Sequence, residues 1–483
     1  MRSRPAVAGP ARPSLASRGT ILTHFTADAS AALGGPPWLA RRRAEAFERF
    51  SGTEFPSESE EVWRYSGIDD FDPGSFAPKA PPPAGREGSS ELDLAEDLAR
   101  VIGERSALVV TRDGVLRAVE QEEGPAAAHV GIGSVLTAPK GERAPSGLGE
   151  LAHCRDAFDQ LHEAFLADVV VVSVAPKAEM ALPVVVVHLI GTPEEDPEAA
   201  ATTAAPACFP RTVVRVGRSA TAGVVELFAS VPVDGTSGDT GRALVVPVTE
   251  LEVADDARLE YASLQVLGPR CTQVALQASR VGAQGSLRSF TASLGGSYSR
   301  VRTDSDVAGD SAQSSLLAAY LGVDDQVHDF RTLQDHHGPR TRSELLFKGA
   351  VADRARSVYS GLIRIARGAH GADAFQTNHN LVLSEGAHAD SVPNLDIDEN
   401  DVRCSHASTV GPIDEEQRYY LESRGVEPWV AERLIVLGFF SDLAARAPFG
   451  GVGKFLEDFV GRRLEGRLPA EELAAVQGSG TDG

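Results

Sequence analysis

The stretch at residues 258–294, RLEYASLQVLGPRCTQVALQASRVGAQGSLRSFTASL, holds three short β-like runs separated by Gly- and Pro-containing turns. Its first run, Arg258–Val266, alternates polar and apolar residues, which is typical of a strand with one buried face. Similar β-branched runs, bounded by Gly, Asp and Ser, begin at Val169 and continue to about residue 410. Such an array of short strands with few helices indicates a sandwich, a barrel or a β-helix.

An internal spacing favours the β-helix among these three. Gly-Ala pairs begin at Gly349, Gly368 and Gly386, and a second set of residues, His370, His388 and His406, recurs every 18 residues. A rung of that length with Gly turns is what a solenoid stacks. We therefore predict a right-handed parallel β-helix over residues 167–411, mainly β with helical ends. The three histidines would then form a column that could hold a metal, or would lie at solvent-exposed turns.

The segments on either side of this core have a different character. Residues 1–34 begin Arg-rich and are interrupted by prolines, which favours a disordered tail over an organelle transit peptide. Residues 35–166 are predicted as a helical and mixed N-terminal domain, with a Pro/Gly/Ser-rich linker at 73–90. Residues 412–483 are predicted as a C-terminal helical domain, with helices at 414–423, 429–443, 455–464 and 471–476.

Composition excludes several classes of protein. The formal charge of −22 argues against a nucleic-acid or anionic-membrane surface, because either needs a basic patch. The sequence has no run of 18 apolar residues, so we expect no transmembrane helix. Its four cysteines lie far apart without framework spacing, which suits a reducing cytoplasm. Walker A, GxSxG and HExxH motifs are likewise missing from the sequence.

The string Cys404-Ser405-His406 carries the most specific chemistry in the chain. On a strand, Cys404 and His406 project from the same face, and both are good ligands for iron or zinc. Two ligands do not complete a tetrahedral site, and no CxxC or HxxxH motif stands nearby. The pair therefore indicates half of a site, completed elsewhere in the fold or on another protein.

Several segments of this region together carry a resemblance to a known family: Arg340–Ala350, Ala374–Asn378, Asn380–Ser384, Pro393–Ile397, Asp401–His406 and Gly411–Gly425. On these segments the chain is similar to the SufB/SufD family, and within it to the SufD branch. It has no N-terminal cysteine cluster of the SufB type, and it reads Ala407-Ser408 where SufD usually has Gly-Ala.

The resemblance implies a non-catalytic scaffold subunit for iron–sulfur cluster assembly. It would pair with SufB through the β-helix and with the SufC ATPase through its C-terminal helices, leaving a homodimer in isolation open. His406, with Cys404 second, would contribute to a transient cluster at the SufB interface, with none held tightly by this chain alone. A bound flavin is left open. The docking residues would be Tyr420, Trp429, Val430, Leu434, Leu437 and Phe440.

Two alternatives to the scaffold follow from the residues. A stand-alone β-helix enzyme, such as a polysaccharide lyase or an acyltransferase, would share the solenoid. Such lyases are usually exported and acyltransferase solenoids show hexapeptide turns, and neither signal is seen here. A free-standing metal-binding protein would use His370, His388 and His406.

Overall fold

A computed structural model describes residues 23–79, 89–122, 129–136, 144–192, 204–232 and 241–465. The helices are α1 Ala27–Ala31, α2 Pro37–Ser51, α3 Ser89–Ala99, α4 Ala157–Ala164, α5 Glu415–Glu422, α6 Pro428–Ala445 and α7 Gly450–Glu465. The strands are β1 Phe76–Pro78, β2 Ala107–Arg112, β3 Val115–Gln121, β4 Val130–Ser134, β5 Val170–Val174, β6 Val184–Thr192, β7 Ala205–Cys208, β8 Arg211–Val216, β9 Thr221–Pro232, β10 Ala243–Val245, β11 Val248–Val253, β12 Arg258–Val266, β13 Cys271–Val281, β14 Ser286–Ser293, β15 Tyr298–Val307, β16 Gln313–Gly322, β17 Val327–His336, β18 Arg342–Val351, β19 Arg356–Ile365, β20 Ala372–Val382, β21 His388–Ile397 and β22 Val402–Gly411.

The strands form a parallel β-solenoid with two sheets. Sheet A has twelve strands and runs β21-β19-β17-β15-β13-β11-β8-β5-β4, with β1, β7 and β10 beside this path. Sheet B has ten strands, in the order β22-β20-β18-β16-β14-β12-β9-β6-β2-β3. From β8 onward most successive strands alternate between the sheets, so each rung contributes one strand to each. This confirms the predicted mainly β, β-helix fold class.

The length of the rung differs from the prediction. Val327 pairs with Arg356, and Arg356 pairs with His388, so one complete rung takes about 30 residues. The 18-residue spacing instead separates positions that are not equivalent in successive rungs. His388 begins β21 in sheet A, His406 lies on β22 in sheet B, and His370 lies between strands. Of the two arrangements considered for these histidines, the column is therefore wrong, and all three are solvent-exposed.

The N-terminal part packs against the outer face of sheet A, where Arg300 of β15 donates to the Val62 carbonyl oxygen at 2.9 Å. The aromatic side chains of α2, α4 and the loops between them meet around Phe158, which stacks on Trp63 with ring centroids 5.6 Å apart. Residues 1–22 of the predicted tail lie outside the described residues, but residues 23–34 include α1, and Phe25 is buried. The predicted linker also needs correction at its ends. Residues 76–78 form β1 paired with β7, and residues 89–99 form α3, while 80–88 lie outside the described residues.

The C-terminal helices cover the outer face of sheet B. Val436, Phe440 and Leu443 of α6 and Val452 and Leu456 of α7 join one apolar core with the outward side chains of the sheet. Lys348 on β18 adds a hydrogen bond between sheet B and α6, because its Nζ donates to the Phe439 carbonyl oxygen at 2.9 Å. The predicted helix at 471–476 lies outside the described residues. Among the helices that are described, none is long and apolar enough to span a bilayer.

Candidate functional site

Cys404 and His406 lie on β22, which ends sheet B among the described strands. In the register of the sheet, Cys404 lies beside Ala374 and His406 beside Gln376 of β20. Ala374 and Gln376 are buried, so the alternation of the strands turns this pair of residues toward the interior of the solenoid. Both side chains therefore lie at the open end of the interior, and they share one face of β22, as their spacing predicts.

The two side chains differ in their surroundings. Cys404 is partly buried against Ala374 and the apolar group of Ile363, Ala369 and Ala372. This burial raises the pKa of its thiol, so the thiol stays protonated near neutral pH. His406 is exposed. A neutral imidazole can bind a metal without first losing a proton, whereas Cys404 must be deprotonated, for which a bound cation is the usual means.

Polar side chains continue inward from His406. Gln376 is 1% exposed, and neither its Nε2 nor its Oε1 has a hydrogen-bond partner among the described residues. Deeper in the interior, Asn378 donates to the Tyr320 hydroxyl at 3.0 Å, and that hydroxyl donates to Asn380 at 2.6 Å. An unpaired buried amide costs free energy. A hydrogen-bond partner for Gln376, directly beside His406, would therefore be stabilising. Sequence reasoning missed Gln376, because only the register places it there.

The other predicted ligands are not brought to this pair. His370 Nδ1 lies 3.1 Å from the Gly368 carbonyl oxygen in a turn. His388 and Asp390 both lie on β21 of the opposite sheet, and His388 Nε2 lies 3.2 Å from Asp390 Oδ1. Within the part of the chain that the structure describes, no group of three or more His, Cys, Asp or Glu side chains could hold a metal ion. Cys404 and His406 thus remain an incomplete ligand set.

The predicted docking residues divide between two faces of α6 and its neighbour α5. Leu434 and Tyr420 are exposed by 48% and 57%, while Trp429, Val430 and Leu437 are partly buried. Phe440, predicted as a docking residue, is 1% exposed and packs against sheet B, so its side chain is not open to a partner. A helix that is apolar on all sides has no sequence pattern that marks its buried face. The pattern of α6 therefore did not separate the residues that pack on sheet B from those that remain accessible.

An open groove runs along the exposed face of α6. It has a volume of about 680 Å³, and α6 and α7 line it with both charges and apolar groups. Leu434 and Leu437 form its apolar part, and the charged part includes Arg433, Glu457 and Arg462. Beside it, α5 has no buried residue along its whole described length. The outer sides of α5, α6 and α7 therefore form an exposed surface of mixed charged and apolar side chains.

Comparison with known proteins identifies the family of this chain. Residues 199–439 match the sequence model of the family described as "SUF system FeS cluster assembly, SufBD core domain". The chain belongs to the SufB/SufD family. The matched residues run from just before β7 into α6, and they include Cys404 and His406. The family match therefore covers the solenoid from β7 onward, including the open end at which the candidate site lies.

Individual relatives in the SufB/SufD family agree with this assignment. An iron–sulfur cluster assembly SufBD family protein of Mycobacterium tuberculosis is 35% identical over 224 residues, 45% of this chain and 56% of that protein. The iron–sulfur cluster assembly protein SufD of Escherichia coli is 32% identical over 216 residues, 45% of this chain and 51% of that protein. SufD of Bacillus subtilis is 36% identical over 157 residues, 32% of this chain and 36% of that protein. The chain thus spans about half the length of the first two relatives.

Proposed function

We propose that this chain is a SufD-like scaffold subunit in iron–sulfur cluster assembly, working in a complex with a SufB-type paralogue and a SufC-type ATPase. In this role it performs no chemistry of its own. It holds part of a nascent cluster, which is the cargo of the complex, at the interface with the paralogue. The ATPase partner supplies the energy from ATP. The four cysteines are free, which agrees with work in a reducing compartment.

The observation that carries the proposal is the incomplete ligand set at the open end of the solenoid. Cys404 and His406 are soft and borderline ligands of the kind that iron–sulfur centres use. They lie on a terminal strand whose outer edge is uncovered by any described strand. A protein that docks on this edge would bring its own side chains next to His406. The remaining ligands would then come from the partner, and the cluster would form between the two chains.

His406 has the leading role in this arrangement and Cys404 the second. His406 is exposed and is a ligand in its neutral form, so it can bind iron as the interface closes. Cys404 becomes a ligand only after its raised pKa is overcome, and an adjacent iron ion or a cationic partner group would do so. Gln376, beside His406, would gain a partner for its amide once the end is covered.

The cluster site is tested by His406→Ala in the full complex with the paralogue and the ATPase. We expect the complex to assemble normally and its iron and acid-labile sulfide content to fall several-fold. His388→Ala is the matched control, because His388 is an exposed histidine on the other strand of the same rung. Normal cluster content in the His406→Ala complex, or an equal loss in both variants, would remove His406 from the site.

The docking of the ATPase is tested on the groove of α6. Leu434→Lys introduces a charge at its exposed apolar part, and we expect the affinity for the ATPase to fall at least tenfold in a titration. Ala445→Lys is the control, because Ala445 is exposed on the same helix outside the groove and a cation suits a helix C-terminus. Undiminished binding by Leu434→Lys would show that the ATPase docks elsewhere.

A further inference from the structure

The side chain of Gln376 lies directly beside His406 in sheet B. The two residues are partners in the register of β20 and β22, so they are about 4.8 Å apart across the parallel pair and their side chains leave the same face. Gln376 is 1% exposed, and neither of its amide atoms has a hydrogen-bond partner among the described residues. Buried polar groups are nearly always hydrogen-bonded in folded proteins, so this unpaired amide needs a physical explanation.

Other amide side chains of the solenoid interior have partners. Asn378, two residues further along β20, donates its Nδ2 to the Tyr320 hydroxyl at 3.0 Å. Deeper in the interior, Gln277 Nε2 donates to Ser289 Oγ at 3.0 Å, and that hydroxyl lies 3.2 Å from Gln277 Oε1. Both amide atoms of Gln277 are therefore satisfied. Gln376 differs from Gln277 in its position, because it lies next to the last strand of the sheet.

The amide of Gln376 is held against Gly361 of β19. A Cβ atom added at Gly361 would lie 2.4 Å from Gln376 Nε2 and 2.3 Å from the Tyr359 hydroxyl oxygen, which is closer than a carbon atom can approach either. Gln376 Nε2 and the Tyr359 hydroxyl thus share the space that the absent side chain leaves. Tyr359 is fixed in turn, because its hydroxyl lies 3.1 Å from Thr332 Oγ1. With Nε2 facing a hydroxyl, Oε1 is the amide atom left for another donor.

His406 has a matching need for an acceptor. Its side chain is exposed, and no described residue makes a hydrogen bond to its ring. A histidine that binds a metal ion through one ring nitrogen usually donates the N–H of the other to an oxygen atom, which fixes the tautomer and the orientation of the ring. Gln376 Oε1 is an oxygen acceptor of this kind on the neighbouring residue of the sheet.

We propose that Gln376 is the positioning residue of the cluster site. When the paralogue covers the open end, Gln376 Oε1 accepts a hydrogen bond from one ring N–H of His406, and the other ring nitrogen is left to bind iron. Gln376 Nε2 then donates to the Tyr359 hydroxyl, so both amide atoms have partners. The inference deepens the proposed function, on which it rests, by naming the residue that selects the tautomer of the ligand. Gln376 acts through His406 and does not itself touch iron.

The burial of Gln376 explains why the amide is unpaired in the free chain and paired in the complex. An unpaired buried amide is unfavourable, and this cost is removed when a hydrogen bond to it forms. Water cannot compete for an amide that is 1% exposed, so the bond to an enclosed imidazole is stronger than the same bond in water. The free chain therefore gives up stability at Gln376, and the covered state recovers it.

Gln376→Leu tests this role, and Gln277→Leu is the matched control, because Gln277 is an interior glutamine that is 5% exposed and fully paired. In the isolated full-length chain, Gln376→Leu should keep or raise the urea midpoint of unfolding, since no hydrogen bond is lost, whereas Gln277→Leu should lower it. In the complex with the paralogue and the ATPase the order reverses. Gln376→Leu should lower the iron and acid-labile sulfide content about tenfold, and Gln277→Leu should leave it unchanged.

A conservative variant and a spectroscopic signal separate positioning from a structural role. Gln376→Glu keeps an acceptor oxygen at the same reach, so its complex should retain most of the cluster. The reduced cluster that remains in the Gln376→Leu complex should show an altered ¹⁴N hyperfine coupling in electron paramagnetic resonance. This coupling reports the histidine nitrogen bound to iron, and the hydrogen bond at the other ring nitrogen changes the electron density that it shares.

Four results would overturn the role of Gln376: wild-type cluster content in the Gln376→Leu complex, an unchanged nitrogen coupling there, a lowered urea midpoint for Gln376→Leu, or a folded Gln376→Glu complex that loses as much cluster as Gln376→Leu. The proposed function is judged separately by His406→Ala. If His406→Ala loses the cluster while Gln376→Leu keeps it, only the role of Gln376 fails. If both variants keep the cluster, the proposed site fails as well.

Discussion

Glu163 is the residue whose removal should show most clearly how the N-terminal helices are fastened to the solenoid. It lies on α4, and its side chain is 5% exposed. Arg42 Nε of α2 lies 2.6 Å from Glu163 Oε2, and Arg211 Nη1 of β8 lies 3.1 Å from Glu163 Oε1. Arg211 also pairs with Glu250 of β11. One carboxylate thus joins two helices to a strand of sheet A.

The magnitude follows from the pKa of the Glu163 carboxyl. Burial alone would raise this pKa, but Arg211 and Arg42 outweigh burial and lower it to about 2. The difference from an ordinary glutamate pKa of about 4.3 corresponds to a stabilisation of about 3 kcal/mol by the charged form. Glu163→Gln keeps the shape and removes the charge, and it leaves Arg211 with one acidic partner fewer. We expect it to lower the free energy of unfolding by about 3 kcal/mol at neutral pH.

The pH dependence gives the sharper test. Because the folded-state pKa is below the unfolded value, the stabilisation is fully present above about pH 4.3 and is lost as the pH falls toward 2. The difference in unfolding free energy between wild type and Glu163→Gln should therefore shrink over this range. Urea unfolding followed by the fluorescence of Trp38 and Trp63 at several pH values measures it. Glu252→Gln is the control, because Glu252 and its partner Arg215 are each about a third exposed, and its cost should stay below about 1 kcal/mol.

Two outcomes would refute this reasoning about Glu163. A difference under about 1 kcal/mol at neutral pH would mean that the buried pairs add little to stability. A difference of constant size from neutral pH down to pH 3 would mean that the carboxylate charge is not the cause.

Three further predictions concern packing and the reactivity of a thiol. Phe440→Ala should destabilise the protein by about 3–5 kcal/mol in urea unfolding, because a buried ring is removed from the core between α6 and sheet B; a cost below 1 kcal/mol would contradict that packing. Gly349→Ala should cost about 1–3 kcal/mol, because the added methyl group would overlap the Tyr320 ring, whereas Gly438→Ala on the exposed face of α6 has open space and should stabilise by about 0.5–1 kcal/mol. Cys154 lies at the surface, yet the protein atoms crowded around its thiol and the carboxylates of Glu163 and Asp159 raise its pKa to about 11. It should therefore react slowly with iodoacetamide at pH 8; rapid labelling there would contradict this.

Local pattern was enough to predict most of the strands. The alternation in Arg258–Val266 matches β12 residue for residue, and the run ending at Leu294 matches β14 within one residue. Successive side chains of a strand point to opposite faces, so a strand with one buried face shows polar and apolar residues in alternation. This pattern can be recognised from a few consecutive residues. The helices beginning near Asp414 and Trp429 were predicted for the same kind of reason, since acids in a first turn and a proline at a helix start are local signals.

The period of the solenoid, in contrast, could not be predicted from consecutive residues. The histidine spacing of 18 residues was real in the sequence, yet it joined a turn, a strand of sheet A and a strand of sheet B. A rung of two strands and two turns returns to the same sheet only after about 30 residues, as the pairing of Arg356 with His388 shows. The fold class was therefore predictable while the rung length was not, because a repeat shows its period only when equivalent positions keep the same residue type.

The sequence by itself determined that this chain is a β-solenoid of the SufB/SufD family with Cys404 and His406 on one face of a strand. Only the tertiary structure decided what surrounds them: the unpaired amide of Gln376 beside His406, the burial of Phe440 against sheet B, and the ion pairs around Glu163. The physical reason is that side-chain direction along a strand or helix depends on neighbouring residues, whereas burial and charge pairing depend on distant segments that only packing brings together.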